Sequence, residues 1–444
     1  MLHAAFPQPR LAPGPHLSGS ARGPEAARPL PAWARPFFGR DARLEPATLR
    51  LVLLVSLGLF FENYDIGLVN AALPQIAREL AIEARDTGFT LGVIRLGGLA
   101  SLLMIPFADR LGRRRVFLAS LIGMSVGTFA TALSQSAVQF AVAQMVTRSF
   151  LLTVQVLAIV ILVEELPAAH RASGIGLLGV LGGVGFGLAA ALYAAIDLVP
   201  FGWRSLYAVG LLPLALLPFF RRSLKETARF ERTAPRDGVN PIRAWLEPVV
   251  QLARTHPGRV LVVGLAGVFG SSSGIAFFQY TSLFVQEFHG WAPGHYTLLV
   301  FGGGLIGVTG NVIGGRGSDR FGRRGIGFLG YALMPLCIGM FMLGPSATLV
   351  AAWGLAVLCG GAADVVVRAV ATELFPTSHR AAAGGWLIGV QTVGWSIGLF
   401  SVGLLTRDPS DLPLVIAAVS MAGFVAALVL LRVPETRRRE LEEI

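Results

Sequence analysis

Six charged side chains lie within segments that are otherwise apolar, and their types and spacing could carry a proton and an anion. Glu62 and Asp65 are three residues apart, so on a helix they would share one face. A charge in hydrocarbon costs at least about 2.5–3.5 kcal/mol, so it is tolerated chiefly where it faces a cavity or a partner. The six residues are Glu62, Asp65, Arg95, Arg148, Asp364 and Arg368.

The segments that hold these charges are long enough to cross a membrane. The chain is 54% hydrophobic and only 14% charged, whereas soluble domains carry about 25% charged residues. Runs of about 20 apolar residues recur, and each can span a hydrocarbon core of about 30 Å. They lack the two-residue alternation of barrel strands, so we predict an all-α membrane protein with twelve transmembrane helices. The predicted spans, numbered 1 to 12 in chain order, are 51–73, 88–107, 115–134, 138–163, 173–196, 204–220, 259–285, 295–315, 325–345, 348–372, 381–404 and 412–432.

The distribution of charge predicts an orientation. The net charge is +11, and basic residues cluster in alternate loops such as 110–115 and 316–324. Loops that stay in the cytoplasm carry such an excess of arginine and lysine. We therefore predict a multi-pass protein of the bacterial inner membrane, in contact with lipid and with both termini in the cytoplasm. Because the basic clusters are orientation signals, we predict no binding to nucleic acid.

Several other kinds of site are not indicated. The two cysteines, Cys337 and Cys359, lie in separate predicted spans, and no histidine falls in mid-membrane. This pattern suggests neither a disulfide framework nor a metal site. The glycines of span 8 follow no strand, so they do not form a phosphate-cradling loop. We predict no metal, no cofactor and no enzymatic activity.

Three short motifs occur twice, once in each half of the chain. Asp-Arg-Leu-Gly-Arg-Arg at 109–114 returns as Asp-Arg-Phe-Gly-Arg-Arg at 319–324. Glu164, after span 4, is matched by Glu373, after span 10; Glu226, after span 6, is matched by Glu435, after span 12. Repetition at half the chain length predicts two similar six-helix bundles that face each other across a cleft, as in transporters.

These motifs resemble the major facilitator superfamily over about 50–444. Its loop signature, Gly-x-x-x-Asp-Arg-x-Gly-Arg-Arg, is complete from Gly315 to Arg324, whereas Ile105 replaces the glycine in the first copy. The resemblance implies two pseudo-symmetric bundles that rock about a midplane site, which is transport by alternating access. It also implies that the repeated loops form a cytoplasmic gate, closed when the cavity faces outward. A topology signal and loop cap is the simpler alternative.

A finer resemblance lies in span 1. Phe-Glu-Asn-Tyr-Asp-Ile-Gly at 61–67 is similar to the acidic motif Asp-Gly-Tyr/Phe-Asp of aromatic-acid and other metabolite:proton symporters. Here Glu62 stands for the first aspartate and Asn63 replaces the glycine. The sequence Pro434-Glu435-Thr436 resembles the ends of sugar porters. The Gly-Pro signature of drug:proton antiporters is missing from span 5, which disfavours drug export.

Asp65 and Arg148 are predicted to lie at comparable depth, about 12 Å and about 15 Å from the same side of the membrane. Burial disfavours an ionised carboxylate and a nearby arginine favours it. A substrate anion that draws Arg148 away would therefore favour protonation, so that substrate and proton bind cooperatively. We predict Asp65, and secondarily Glu62, as the proton-coupling residue. A structural ion pair without a transported proton is the alternative.

The remaining polar residues of the spans give less specific predictions. Arg95 could neutralise an acid of span 1, help to bind an anion, or reach the outer interface. Asp364 and Arg368, four residues apart, could form an intrahelical pair or part of a gate. The predicted substrate-binding residues are Arg148, Arg95, Tyr64, Gln279, Tyr280, Asn311 and Gln391. The predicted gate residues are Asp109, Arg110, Arg113, Glu164, Arg171, Asp319, Arg320, Arg323, Glu373, Arg380, Arg368 and Asp364.

The predicted domain organisation follows from these elements. Residues 1–48, rich in proline, alanine and arginine, are expected to be a disordered cytoplasmic tail. Bundles at 49–220 and 258–433 flank a cytoplasmic linker at 221–257, with a surface helix around 241–255. Residues 434–444 form a second tail.

The sequence thus predicts a monomeric secondary transporter that takes up a small organic acid or related metabolite with protons. A sugar or polyol porter is the first alternative. A drug exporter and a lipid-related transporter or scramblase are weaker alternatives.

Overall fold

The computed structural model describes residues 28–29, 31–32, 35–38, 43–167, 170–227, 230, 241–376 and 379–435. Within these ranges, twelve helical stretches are long and apolar enough to cross a membrane. Each overlaps a predicted span and keeps its number, which confirms the predicted fold class. Spans 1 to 6 are Pro46–Ala71, Ala84–Leu111, Arg113–Ala132, Ala137–Glu165, Ser173–Tyr193 and Trp203–Ser223. Spans 7 to 12 are Pro257–Glu287, Pro293–Phe321, Arg323–Leu343, Ser346–Glu373, Ala382–Leu405 and Pro409–Leu430.

Local sequence explains where several helices begin and break. Proline starts spans 1, 7 and 8, where its missing N–H costs nothing. The hydroxyl of Ser136 accepts a 3.3 Å hydrogen bond from the backbone N–H of Gln139 and so caps span 4.

Several spans consist of more than one helical segment. Span 2 consists of Ala84–Leu96 and Gly98–Leu111, and span 6 of Trp203–Ala208, Val209–Leu211, Leu212–Ala215 and Leu217–Ser223. Span 8 consists of Pro293–Val312, a π-helical turn Ile313–Gly317 and Ser318–Phe321; span 12 consists of Pro409–Asp411, Leu412–Ser420 and Ala422–Leu430.

A few elements lie outside the spans. The linker contains the helix Pro241–Thr255, where the sequence predicts a surface helix. Within the predicted tail 1–48, Arg28–Pro29 pairs antiparallel with Arg43–Leu44, and a short helix covers Arg35–Phe38. Residues 31–32 and 45–48 of that tail are described as well; its remaining residues, residues 228–229 and 231–240 of the linker and residues 436–444 lie outside the described residues. Short helices Leu73–Glu79 and Ile196–Leu198 follow spans 1 and 5.

The two halves repeat the same packing. Span 1 packs along span 5 and span 3 along span 4 in the N-terminal half. Span 7 packs along span 11 and span 9 along span 10 in the C-terminal half. We call the end that carries Gly112, Gly322 and the linker helix the basic end, and the opposite end the far end.

The halves are joined at the far end. Ser282 donates a 2.6 Å hydrogen bond to the carbonyl of Ala71, and Thr297 donates one of 2.6 Å to that of Ala190. Span 2 packs along span 11 there. A single apolar cluster runs from the C-terminal half into the far end of the N-terminal half, whereas the N-terminal half has a separate cluster toward the basic end. The structure is therefore closed toward the far end.

Candidate functional site

A small pocket lies between the halves and, as it stands, has room for about one water molecule. Residues of both halves line it. The polar lining consists of Asp65, Arg95, Gln144, Arg148 and Gln279. The apolar lining consists of Ile66, Val69, Leu91 and Ile94.

A close approach of two helices brings both arginines to this pocket. The helix of span 2 is interrupted at Gly97, whose carbonyl accepts a 2.8 Å hydrogen bond from the hydroxyl of Ser149. A Cβ atom at Gly97 would lie 2.8 Å from the carbonyl carbon of Met145 on span 4. Only glycine allows the two backbones to come this close. Arg95 precedes this contact on span 2, and Arg148 follows it on span 4.

Asp65 is held by polar groups of the N-terminal half. It is 2% exposed. Its Oδ1 atom accepts a 2.9 Å hydrogen bond from Thr128 and a longer one, 3.5 Å, from the amide of Gln144. The other carboxylate oxygen, Oδ2, is buried and has no hydrogen-bond partner among the described residues.

Glu62 lies one helical turn from Asp65 and does not line the pocket directly. It is buried, and its Oε2 atom lacks a hydrogen-bond partner among the described residues. The positive charge of Arg148 acts on both carboxylates. In the described part of the chain, however, no carboxylate oxygen of either acid lies within 4.0 Å of the Arg148 guanidinium nitrogens. The predicted Asp65–Arg148 ion pair is thus not a direct contact here; the Oδ1 atom of Asp65 accepts hydrogen bonds from Thr128 and Gln144 instead.

Arg95 makes its contacts in the C-terminal half. Its Nη2 atom donates a 2.8 Å hydrogen bond to Oε1 of Gln279 on span 7. Its guanidinium lies 5.6 Å from the ring centre of Trp395 on span 11. Of the three roles considered for Arg95, neutralising an acid of span 1 is therefore not seen.

The other predicted binding residues lie outside the pocket. The hydroxyl of Tyr64 donates to the carbonyl of Leu206 at 2.8 Å. Tyr280 is fully buried, with no hydrogen-bond partner for its hydroxyl in the described chain, and Asn311 is exposed beside Gly361 of span 10. The amide of Gln391 donates to Asp364 at 3.1 Å.

The repeated loops form matching ion-pair clusters. In the first, Arg113 lies 3.0 Å from Asp109 and 3.2 Å from Glu164. In the second, Arg323 lies 2.6 Å from Asp319 and 2.9 Å from Glu373. Each cluster lies within one half, so these residues join a loop to its own bundle in this conformation. Whether they act as a gate stays a prediction.

The remaining predicted gate residues are placed differently. Arg171 donates to the carbonyl of Leu166 at 3.1 Å, and Arg368 forms a 2.7 Å ion pair with Asp364 on its own helix. Arg380 is partly buried, and its Nε and Nη2 atoms have no hydrogen-bond partner among the residues described. Arg110 and Arg320 are exposed.

The structure also assigns a role to the third repeated motif, which the sequence identified only as a repeat. Glu435 accepts hydrogen bonds from the backbone N–H groups of Arg323 (2.9 Å) and Arg324 (3.2 Å). Glu226 accepts one from the N–H of Arg114 at 3.1 Å. Each glutamate thus satisfies free N–H groups at the start of span 9 or span 3.

Sequence reasoning missed Gln144, Thr128 and Trp395 at the site. For Gln144 a signal existed, because it lies four residues before Arg148 and shares its helix face. Thr128 is one of many hydroxyl residues in the spans, and nothing local distinguishes it. Trp395 could not be placed without knowing how span 11 is rotated.

Known proteins agree with this architecture. The family model of the Major Facilitator Superfamily matches residues 55–348 and 290–444. A gallate transporter of Pseudomonas putida is 29% identical over 423 residues, covering 88% of this chain and 92% of the relative. A benzoate transport protein of Acinetobacter baylyi is 23% identical over 404 residues, covering 82% of this chain and 85% of the relative. The solved inward-open xylose transporter XylE of E. coli superposes with a TM-score of 0.71 at 17% identity, covering 89% of this chain and 98% of that one.

The family match covers nearly all of the membrane-spanning part of the chain, and the fold has the twelve helices and the repeated loops that the sequence predicts. The chain therefore belongs to the Major Facilitator Superfamily and is a membrane transporter.

Proposed function

We propose that this transporter takes up a small organic anion together with protons, and that aromatic carboxylic acids are its substrate class. The observation that carries the proposal is the set of buried charges at one pocket. Asp65, Arg95 and Arg148 line it, and Glu62 lies one turn behind Asp65. Charges buried at mid-span are costly and are characteristic of ion and proton pathways.

The arrangement supplies a physical route for coupling. Asp65 carries one buried oxygen without a hydrogen-bond partner in the described chain, and an ionised carboxylate with such an oxygen is expensive in an apolar site. The charge of Arg148 offsets that cost. When a substrate anion binds near Arg148, the arginine stabilises the ionised form of Asp65 less. The protonated form of Asp65 then becomes favoured, so a proton is bound together with the substrate.

The substrate class rests on the pocket and on the relatives. Two arginines suit a carboxylate, whereas an uncharged sugar would gain little from them. The apolar lining from Ile66, Val69, Leu91 and Ile94 suits the ring of an aromatic acid. The relatives named for gallate and benzoate transport favour the same class.

The orientation and assembly belong to the proposal as well. The basic loops support an inner-membrane protein whose basic end and both termini lie in the cytoplasm. A single chain contains both halves of the pocket, so a monomer surrounded by membrane lipid is sufficient for transport. Residues 49–220 and 258–433 are the two moving bundles, and residues 221–257 link them.

The test is uptake into liposomes that contain purified protein and an internal pH-sensitive dye. Benzoate, 4-hydroxybenzoate and gallate are compared with xylose under an inward proton gradient. The wild type should acidify the interior with the acids and not with xylose. Asp65→Asn should abolish accumulation against a gradient, because a coupling worth about 5–150-fold is lost with the proton site.

Glu247→Gln is the control, since it neutralises an exposed carboxylate of the linker helix. It should retain gradient-driven uptake. If Asp65→Asn also retains it, Asp65 does not carry the proton and the coupling proposal is wrong.

A further inference from the structure

The two arginines of the pocket differ in how their charge is compensated. Arg148 interacts electrostatically with two carboxylates, those of Asp65 and Glu62. For Arg95, no carboxylate oxygen of the described residues lies within 4.0 Å. Asp65 and Arg148 line the same pocket as Arg95, but the charged group of Arg148 is also positive and Asp65 accepts its hydrogen bonds from Thr128 and Gln144. Arg95 is therefore a cation at mid-span that has no direct ion pair with a carboxylate of the described residues.

A cation in this position calls for an anion. Arg95 lies 11 residues from the start of span 2, about 16 Å along the helix from the far end. Its neutral partners, the Oε1 atom of Gln279 and the face of Trp395, are acceptors that only partly offset the cost of burying a full charge.

A second donor lies beside it without an acceptor. Gln279 is 1% exposed and lines the same pocket. Its Oε1 atom accepts from Arg95, which leaves its Nε2 atom directed elsewhere, and that atom is buried with no hydrogen-bond partner in the described chain. A buried amide N–H₂ without an acceptor costs about 1–3 kcal/mol.

From these two observations we propose that Arg95 and Gln279 form the site that binds the substrate's carboxylate, with Trp395 forming one wall. Arg148 is then a positioning residue for the proton-carrying carboxylates and not the main substrate anchor. The inference rests on the proposed function and divides its site into an anion subsite and a proton subsite. The substrate would be held between span 2 of one half and spans 7 and 11 of the other.

This division has a consequence for transport. The Arg95–Gln279 hydrogen bond joins the two halves, so the halves cannot separate at this level without breaking it. A carboxylate that accepts from both donors keeps them linked through the substrate. The anion would then stay bound to both halves during transport. A ligand that contacts both halves can favour a conformational change in which they move together.

The experiment measures ligand binding to purified protein, independently of transport, by calorimetry. The probes are benzoate, 4-hydroxybenzoate and gallate, each compared with its uncharged amide. Wild-type protein should prefer each acid to its amide. Arg95→Gln should weaken acid binding by about 10- to 150-fold, the loss of a charge-assisted hydrogen bond, and leave amide binding little changed. Arg148→Gln should keep the preference for acids while losing proton coupling.

Gln279→Glu is the sharper variant because it supplies the missing counter-ion within the protein. It should abolish acid binding and raise the midpoint of thermal unfolding. Gln279→Leu, of similar size and without charge, should weaken acid binding without that stabilisation. If Arg95→Gln does not fold, acid binding is instead compared among Gln279→Glu, Gln279→Leu and Arg95→Lys, the last of which keeps the charge.

The outcomes separate the two proposals. If wild-type protein does not distinguish acids from amides, the proposed function fails and this inference with it. If wild-type protein distinguishes them and Arg95→Gln and Gln279→Glu do so equally well, the carboxylate binds elsewhere, and the proposed function stands without this inference.

Discussion

The N-terminal and C-terminal halves have nearly the same ion-pair arrangement at the basic end. Arg113 joins Asp109 to Glu164, and Arg323 joins Asp319 to Glu373, with distances between 2.6 and 3.2 Å. Gly112 and Gly322 share a φ of 101°, a conformation that glycine adopts readily. A Cβ atom at Gly322 would lie 2.7 Å from the carboxylate of Glu435.

At the pocket the halves differ. Arg148 lies 16 residues before Glu164, and the residue at that distance before Glu373 is Val357. The charges at the pocket come from spans 1, 2 and 4, whereas spans 7 and 11 contribute an amide and an aromatic ring. The repeated parts thus organise the loops, and the diverged parts hold the site. Asymmetry of this kind suits a site where one half binds the proton and both hold the substrate.

The largest effect is expected where the halves touch. On span 2, a Cβ atom at Gly88 would lie 2.7 Å from the carbonyl oxygen of Leu399 and 2.7 Å from the Cα atom of Gly403, both on span 11. Gly88→Ala should destabilise the far-end closure by about 1–3 kcal/mol, because backbone cannot give way. Spin labels at Leu198 and Ala347, exposed at the far end, should report a population with a longer separation.

Gly183→Ala is the matched control, since nothing lies within 4 Å of its added Cβ atom. It should leave the distance distribution unchanged. Identical distributions for the two variants would mean that the span 2–span 11 contact does not determine closure.

A smaller effect tests the equivalence of the loops. Glu226→Ala and Glu435→Ala each remove a carboxylate that accepts backbone N–H groups at a helix start. Each should destabilise the protein by about 0.5–2 kcal/mol, as the loss of a helix cap does. Thermal unfolding in detergent provides the measurement, with exposed Glu247→Ala as the control. If only one of the two variants unfolds at a lower temperature, the two loops share a geometry but contribute unequally to the stability of the protein.

The smallest effect is expected for the charged pair of span 10. Arg368 and Asp364 are 62% and 39% exposed at their side chains and pair on one helix. Arg368→Gln should change the free energy of unfolding by no more than about 0.5 kcal/mol and leave uptake intact. Loss of uptake in a normally stable variant would instead place a functional charge in the C-terminal half.

The sequence predicted well whatever depends on neighbours along the chain. The spans, the linker helix Pro241–Thr255 and the Asp364–Arg368 pair follow from apolar runs, composition and helical spacing. The sequence predicted Arg113, Glu164, Arg323 and Glu373 as gate residues, and the structure pairs Arg113 with Glu164 and Arg323 with Glu373.

Predictions that required the rotation of a helix were less successful. Tyr64 and Tyr280 are adjacent to Asp65 and Gln279, yet one step along a helix turns a side chain by about 100°. Tyr64 therefore reaches span 6 of its own bundle and Tyr280 is buried outside the pocket, while Asp65 and Gln279 line it. Asp65 and Arg148 do line one pocket, but Asp65 accepts its hydrogen bonds from Thr128 and Gln144.

By itself the sequence determined the membrane class, the number of spans, the twofold repeat and the small set of charges that must avoid lipid. These depend on hydrophobicity and on spacing along one chain. The tertiary structure alone decided which charges meet, that Arg95 forms no direct ion pair within the described residues, and that Glu226 and Glu435 cap helices. Those results depend on how closely separate helices approach, as Gly97 does to Met145, and no local pattern encodes that distance.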